Sequence, residues 1–126
     1  MYQYYNPSPV GARVGDCAVR AVAKALGMDW ETGFAVLTVK AYETADLPNS
    51  NAVINAVLTE RGFERGVVPN TCPACYTFEQ FAADYPEGTY VLGTGTHVAT
   101  VIDGILFDTW DSSKETPIYY WVKKEG

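Results

Sequence analysis

Positive charge is scarce in this chain: nine lysines and arginines face fifteen acidic residues, a formal net charge of −6 over 126 residues. Binding nucleic acid through its phosphates calls for a basic stripe, and none runs along this sequence. An anionic membrane surface is disfavoured on the same grounds. Long hydrophobic runs are missing as well: no uncharged stretch reaches the roughly 18 to 20 apolar residues that span a bilayer. The opening Met1-Tyr-Gln-Tyr-Tyr-Asn6 has neither the positive start nor the apolar block of a secretion signal. Cysteine is rare and odd in number, three in all, which makes no disulfide framework. Internal repeats, low-complexity tracts and linkers are absent. Apolar residues are plentiful at 48%, with 13% aromatic, so the chain can bury a core. The expectation is a cytoplasmic protein with one domain over residues 1–126, a monomer or a weak homo-oligomer paired through a sheet edge.

The first fifteen residues carry Pro7, Pro9, Gly11 and Gly15 and read as an extended arm ending in a turn. Tyr2, Tyr4 and Tyr5 on that arm suit a strand edge or a partner surface. Asp16 is placed as the N-cap of a helix over 17–26, stopped by Gly27 and apolar apart from Arg20 and Lys24. A second helix is predicted from a cap at Asp29 over Trp30 to Tyr42. A third runs from Pro48-Asn49-Ser50 to Arg61, with Gly62 as its stop, and a short one covers Thr77 to Asp84. Phe63 to Val68, Thr89 to Leu92, Thr96 to Ile102, Ile105 to Thr109 and Ile118 to Val122 read as strands, with Asp103-Gly104 a hairpin turn. Helices first and strands afterwards predict an α+β fold, N-terminal helices packed on a C-terminal antiparallel sheet.

Cys17 opens the first helix, where unpaired backbone N–H groups and the helix dipole favour a thiolate and can serve an oxyanion. Buried packing is the common alternative for a lone cysteine. The single histidine, His97, follows the Gly93-Thr-Gly95-Thr run. A two-residue turn at Asp103-Gly104 sets Ala99 opposite Asp108 and His97 opposite Trp110, making His97 and Asp108 diagonal neighbours on one face. A three-residue turn would reverse the parity and bring Asp111 there instead. Trp110 and Gly95 are the candidates to line a substrate pocket. Asp16 beside the thiol opposes its ionisation, and Arg20, four residues on, is placed to neutralise it as a helical pair.

Gly15-Asp16-Cys17 opening an apolar helix, then Thr96-His97-Val98 and Phe107-Asp108-Thr109 on adjacent strands, resembles the papain-like cysteine peptidase superfamily. The likeness is closest to the small bacterial and phage members related to bacteriocin-processing, C39-like peptidases. It implies a papain-like fold and a thiol hydrolase cleaving a peptide or isopeptide bond in a peptide or protein substrate, without a cofactor. By that resemblance Cys17 is the nucleophile, His97 the general base and acid, and Asp108 the residue that orients His97. The same apparatus serves a deamidase or an acyltransferase, and a catalytically silent papain-like binding module is the alternative of another class. Members of the family commonly place a Gln several residues before the cysteine to complete the oxyanion hole. Here the only upstream Gln is Gln3, and Asn6, eleven residues before Cys17, is the substitute candidate.

Cys72-Pro-Ala-Cys75 has the spacing of half a zinc site, and Cys17 with His97 would complete a tetrahedral set. No second CxxC exists, so a redox pair and two plain loop thiols stand beside that reading. The zinc nucleobase deaminase signature is excluded, since Thr71 precedes Cys72 and the histidine comes after the pair. No metal is expected.

Overall fold

Cys17 to Leu26 contains no Gly or Pro, and Gly27 ends the run in the left-handed conformation, φ 67°. In the computed structural model, which describes residues 1–124, this stretch is α1 (Cys17–Leu26), followed by α2 (Trp30–Thr44), α3 (Asn51–Thr59) and α4 (Phe78–Asp84). Side chains cap three of the four: Asp29 accepts from the Thr32 N–H, Ser50 from Ala52 and Val53, and Thr77 forms a capping box with Gln80. The exception is α1. Asp16 occupies its N-cap position but makes no capping bond. Its carboxylate is taken by the Arg20 guanidinium and by Trp30, whose Nε1 donates at 2.9 Å.

The strands are β1 (Tyr2–Tyr4), β2 (Phe63–Val67), β3 (Thr89–Gly93), β4 (Val98–Ile102), β5 (Ile105–Asp108) and β6 (Tyr119–Lys123), in the sheet order β1-β5-β4-β3-β6-β2. The fold is α+β, but the expected antiparallel sheet is mixed. β1 lies parallel to β5, Tyr4 opposite Asp108, while the other neighbours are antiparallel. β5 would otherwise be an edge with unpaired backbone groups, and the N-terminal arm covers it. Asp103 and Gly104, both at positive φ, form the two-residue turn and set Ile102 opposite Ile105. β4 starts later than the pattern suggests: Thr96 and His97 belong to the β3–β4 hairpin loop, where the Thr94 N–H donates to the His97 carbonyl at 2.9 Å.

Alternation along the strands divides the core. Val91, Val98 and Trp121 face α1, α2 and α3 with Val22, Leu37, Ile54 and Leu58. Leu92, Ala99, Val101 and Leu106 face the other way, onto Phe78, Phe81 and Ala82 of α4. The buried Thr100 hydroxyl donates to the Ala21 carbonyl at 2.7 Å and ties β4 to α1, the contact that sets the helix of Cys17 against the strand beside His97. Among the described residues no helix is long and apolar enough to cross a membrane.

Gly93 is required by packing. A Cβ there would lie 2.1 Å from the ring of Tyr119, its cross-strand partner. Gly93→Ala is therefore expected to destabilise the fold by about 2 kcal/mol, the cost of forcing a well-packed ring aside. A urea midpoint equal to that of the parent chain would contradict this packing account.

Cys72 and Cys75 are joined in a disulfide, so neither thiol is available to a zinc site. Among the described residues no group of three or more His, Cys, Asp or Glu is arranged to hold a metal ion.

Candidate active site

Three segments distant in sequence meet at one end of the sheet: the first turn of α1, the β3–β4 hairpin loop and the end of β5. Cys17, His97 and Trp110 line a common cleft of about 780 Å³, with Gly95 at its hairpin wall. Asp108 lies directly behind it, 2% exposed. His97 Nε2 is 2.7 Å from Asp108 Oδ2. A carboxylate accepts from Nε2–H, which leaves Nδ1 for the thiol. Cys17 and His97 are within side-chain hydrogen-bonding reach of one another.

The Asp108 carboxylate is fully partnered. Oδ2 also accepts from the Ser112 hydroxyl at 2.7 Å, while Oδ1 accepts from the Thr109 N–H at 2.8 Å and Arg20 Nη2 at 3.2 Å. The arm holds its backbone: the Tyr5 N–H donates to the Asp108 carbonyl at 2.8 Å and the Tyr2 hydroxyl at 3.2 Å. Asp111, the alternative acid, instead accepts from the Ser113 N–H in a turn at 3.1 Å. The two-residue hairpin turn decides between the two acids, through parity.

The electrostatics follow from these contacts. Burial pushes the Asp108 carboxyl up, but hydrogen bonds from His97 and Ser112, the His97 charge and the Thr109 N–H together hold it below the usual value. Burial pushes His97 down, yet hydrogen bonds and charge from Asp108 and Cys17 carry it up to about 9. For Cys17, burial again favours the neutral form. The His97 hydrogen bond, the Val98 N–H and the charges of His97 and Arg20 outweigh it and lower the thiol. A thiol driven down and an imidazole driven up both favour the thiolate–imidazolium form of the pair.

The uncapped first turn of α1 adds a donor. With Asp16 turned away to Arg20 and Trp30, no side chain occupies its N–H groups, which remain for an oxyanion beside the sulfur. Asn6 does not take part, contrary to the sequence expectation. Its Nδ2 donates to the Ala12 carbonyl at 3.2 Å and its Oδ1 accepts from the Ser8 N–H at 3.1 Å, an Asx turn that shapes the arm. The Trp110 ring lies 5.1 Å from that of His97, tilted by 47°, and is 43% exposed on the cleft wall.

Sequence reasoning missed several contributors. Asn49 and Asn51 bring polar groups from the start of α3 to the cleft. Asn51 is held by Tyr119, whose hydroxyl donates to Oδ1 at 2.8 Å and leaves the amide nitrogen free to donate. Nothing in the α3 sequence links it to the cysteine. Ser112 reads as a turn residue, and its bond to Asp108 has no signal in sequence. The spacing of Arg20 identifies it only as the helical partner of Asp16, and its second bond, to Asp108, has no signal in sequence. No protein-family model, no curated protein and no solved structure matches the chain.

Proposed function

We propose that the protein is a thiol hydrolase of papain-like arrangement that cleaves a peptide or isopeptide bond. The observation that carries this reading is Cys17 and His97 on the wall of one open cleft, with the histidine bonded to a buried carboxylate. The Cys17 thiolate attacks the carbonyl carbon; the C–S bond forms and the carbonyl electrons move to oxygen, facing the free N–H groups of α1. Collapse breaks the C–N bond, and the leaving amine takes the His97 proton. The resulting thioester is attacked by water, whose proton passes to His97. Expulsion of the Cys17 thiolate releases the carboxylic acid and restores the starting pair. Asp108 orients the ring and stabilises its charge throughout. The order of the three residues along the chain supports the likeness to small C39-like peptidases. Release to water gives hydrolysis, whereas release to an amine gives acyl transfer.

At pH 6, iodoacetamide is expected to alkylate Cys17 at least about tenfold faster than it alkylates an unstructured cysteine peptide, because an ordinary thiol with a pKa near 8.5 is almost wholly protonated there. Mixed peptide libraries should be cleaved by the wild-type chain and left intact by Cys17→Ala. Equal alkylation rates, or cleavage surviving in Cys17→Ala, would rule the hydrolase out.

A further inference from the structure

Arg20 is out of place on its helix. Apart from Lys24, the side chains of α1 are apolar or the thiol itself, yet Arg20 sits among them only 6% exposed. Ion-pairing with Asp16 alone would not require that depth, since a helical pair of this spacing is usually solvated. The guanidinium reaches further: its Nη1 donates to Asp16 Oδ1, and its Nη2 donates across the layer to Asp108 Oδ1 at 3.2 Å. Trp30 Nε1 fixes the far oxygen of Asp16 at 2.9 Å, so the bridge is held at both ends.

The groups that face this corner come from every element around it. Asp16 and Cys17 begin α1, and Lys24 lies one turn beyond Arg20 over the Tyr5 and Phe107 rings. His97 comes from the hairpin loop, Asp108 from β5, and Tyr5, which feels the Arg20 charge, from the arm. Arg13, on the same cleft wall, is bonded to the Thr109 carbonyl, which leaves His97 and Arg20 as the cations that bond the two buried carboxylates. Of these two, only Arg20 keeps its charge throughout the cycle, because His97 gives its proton away.

We propose, resting on the thiol-hydrolase reading, that Arg20 is a positioning residue of this site: by bridging Asp16 and Asp108 it turns the Oδ2 edge of Asp108 to His97 and keeps a permanent positive charge on the wall of the cleft that Cys17 also lines. A planar fork suits the task, since one guanidinium bonds two acids in different directions while an ammonium offers a single point charge. The lowered thiol agrees: after burial and the His97 and Val98 hydrogen bonds, the His97 and Arg20 charges contribute to holding it down.

The test is the pH profile of Cys17 alkylation by iodoacetamide, followed by peptide-resolved mass spectrometry so that Cys72 and Cys75 do not interfere. Arg20→Met is expected to cut the rate at pH 6 by about tenfold, the equivalent of one pH unit in the thiol, with the curves converging in strong base. Arg20→Lys, which keeps the charge but cannot fork between the two acids, should recover only part of the rate, falling between Arg20→Met and the wild type. If Arg20→Met fails to fold, Arg20→Gln removes the charge while keeping an amide that can donate to one acid, and it should show the same tenfold loss. A folded variant of either kind whose profile superimposes on the wild type would overturn the role of Arg20 and leave the hydrolase intact. A wild-type thiol that titrates like a free peptide cysteine would overturn both.

Discussion

For the proposed thiol hydrolase, replacing His97 by alanine is expected to slow turnover by up to about 10⁴-fold, the upper range for a positioned general acid and base. Two losses combine. The leaving amine has no proton donor, and the thiol loses both the hydrogen bond and the charge that lower it. The sign of the pH dependence follows from the pair. Below the lowered Cys17 value the nucleophile is protonated; above about 9 the imidazolium has lost the proton that the leaving group needs. The wild-type profile should therefore be a bell whose alkaline limb falls near pH 9, its two limbs belonging to the coupled pair. His97→Ala should retain only a weak rise with increasing pH. Because the chain has one histidine, its ring resonances are unambiguous, and NMR should find them titrating near 9. In Cys17→Ala the titration should move down, since the thiol contributes to the rise. Turnover within tenfold of wild type in His97→Ala, or an imidazole titrating near its ordinary value of about 6.5, would sink the ion-pair account.

The parts of this geometry that were legible in sequence are those governed by local rules. Gly27 and the caps at Asp29 and Ser50 bound helices because they act within one turn. Asp103-Gly104 determines a register, and register alone distinguishes Asp108 from Asp111, so a long-range pairing could be read from a two-residue turn. The parallel strand was not legible, because Tyr2–Tyr4 pairs with β5 more than a hundred positions away and three residues carry no periodicity. Asp16 shows how tertiary structure overrides a local rule. Its sequence position makes it a cap, but a buried arginine and an indole N–H compete for the same oxygens and win.

The misplacement of Asn6 has the same origin. An amide upstream of Cys17 reaches the thiol only if the arm delivers it, and Asn6 is consumed by its own turn through Ser8 and Ala12. The donors that do reach the cleft start from α3, which the sheet brings near Cys17 through Tyr119 and Gly93. A close-packed pair, a glycine under a tyrosine ring, thus positions a polar group at the site.

Asp108→Asn separates orientation from stability. The substitution preserves shape but removes the charge that faces Arg20 and His97, so Arg20 is left with one buried carboxylate where it had two. Breaking a buried pair from one side should destabilise the fold by about 3 kcal/mol at pH 6. The pH dependence identifies the cause. Asp108 has a folded value below its unfolded one, so its contribution is present above the unfolded pKa of about 4 and disappears as the pH falls through the folded value. His97 works in the opposite sense: raised to about 9, it contributes fully below its unfolded value and loses that contribution as the pH climbs through 9. The stability difference between wild type and Asp108→Asn should therefore be largest between about pH 5 and 6.5, shrink in acid and shrink in part above 9. Part remains in base because the Asp108 carboxylate still pairs with Arg20 there. The imidazole titration should fall from about 9 in the same variant, and turnover should drop less than in His97→Ala, because a mispointed base still exists. Urea unfolding across this pH range measures the difference directly, and a constant offset would mean that Asp108 acts by packing alone, with no ionic link to His97.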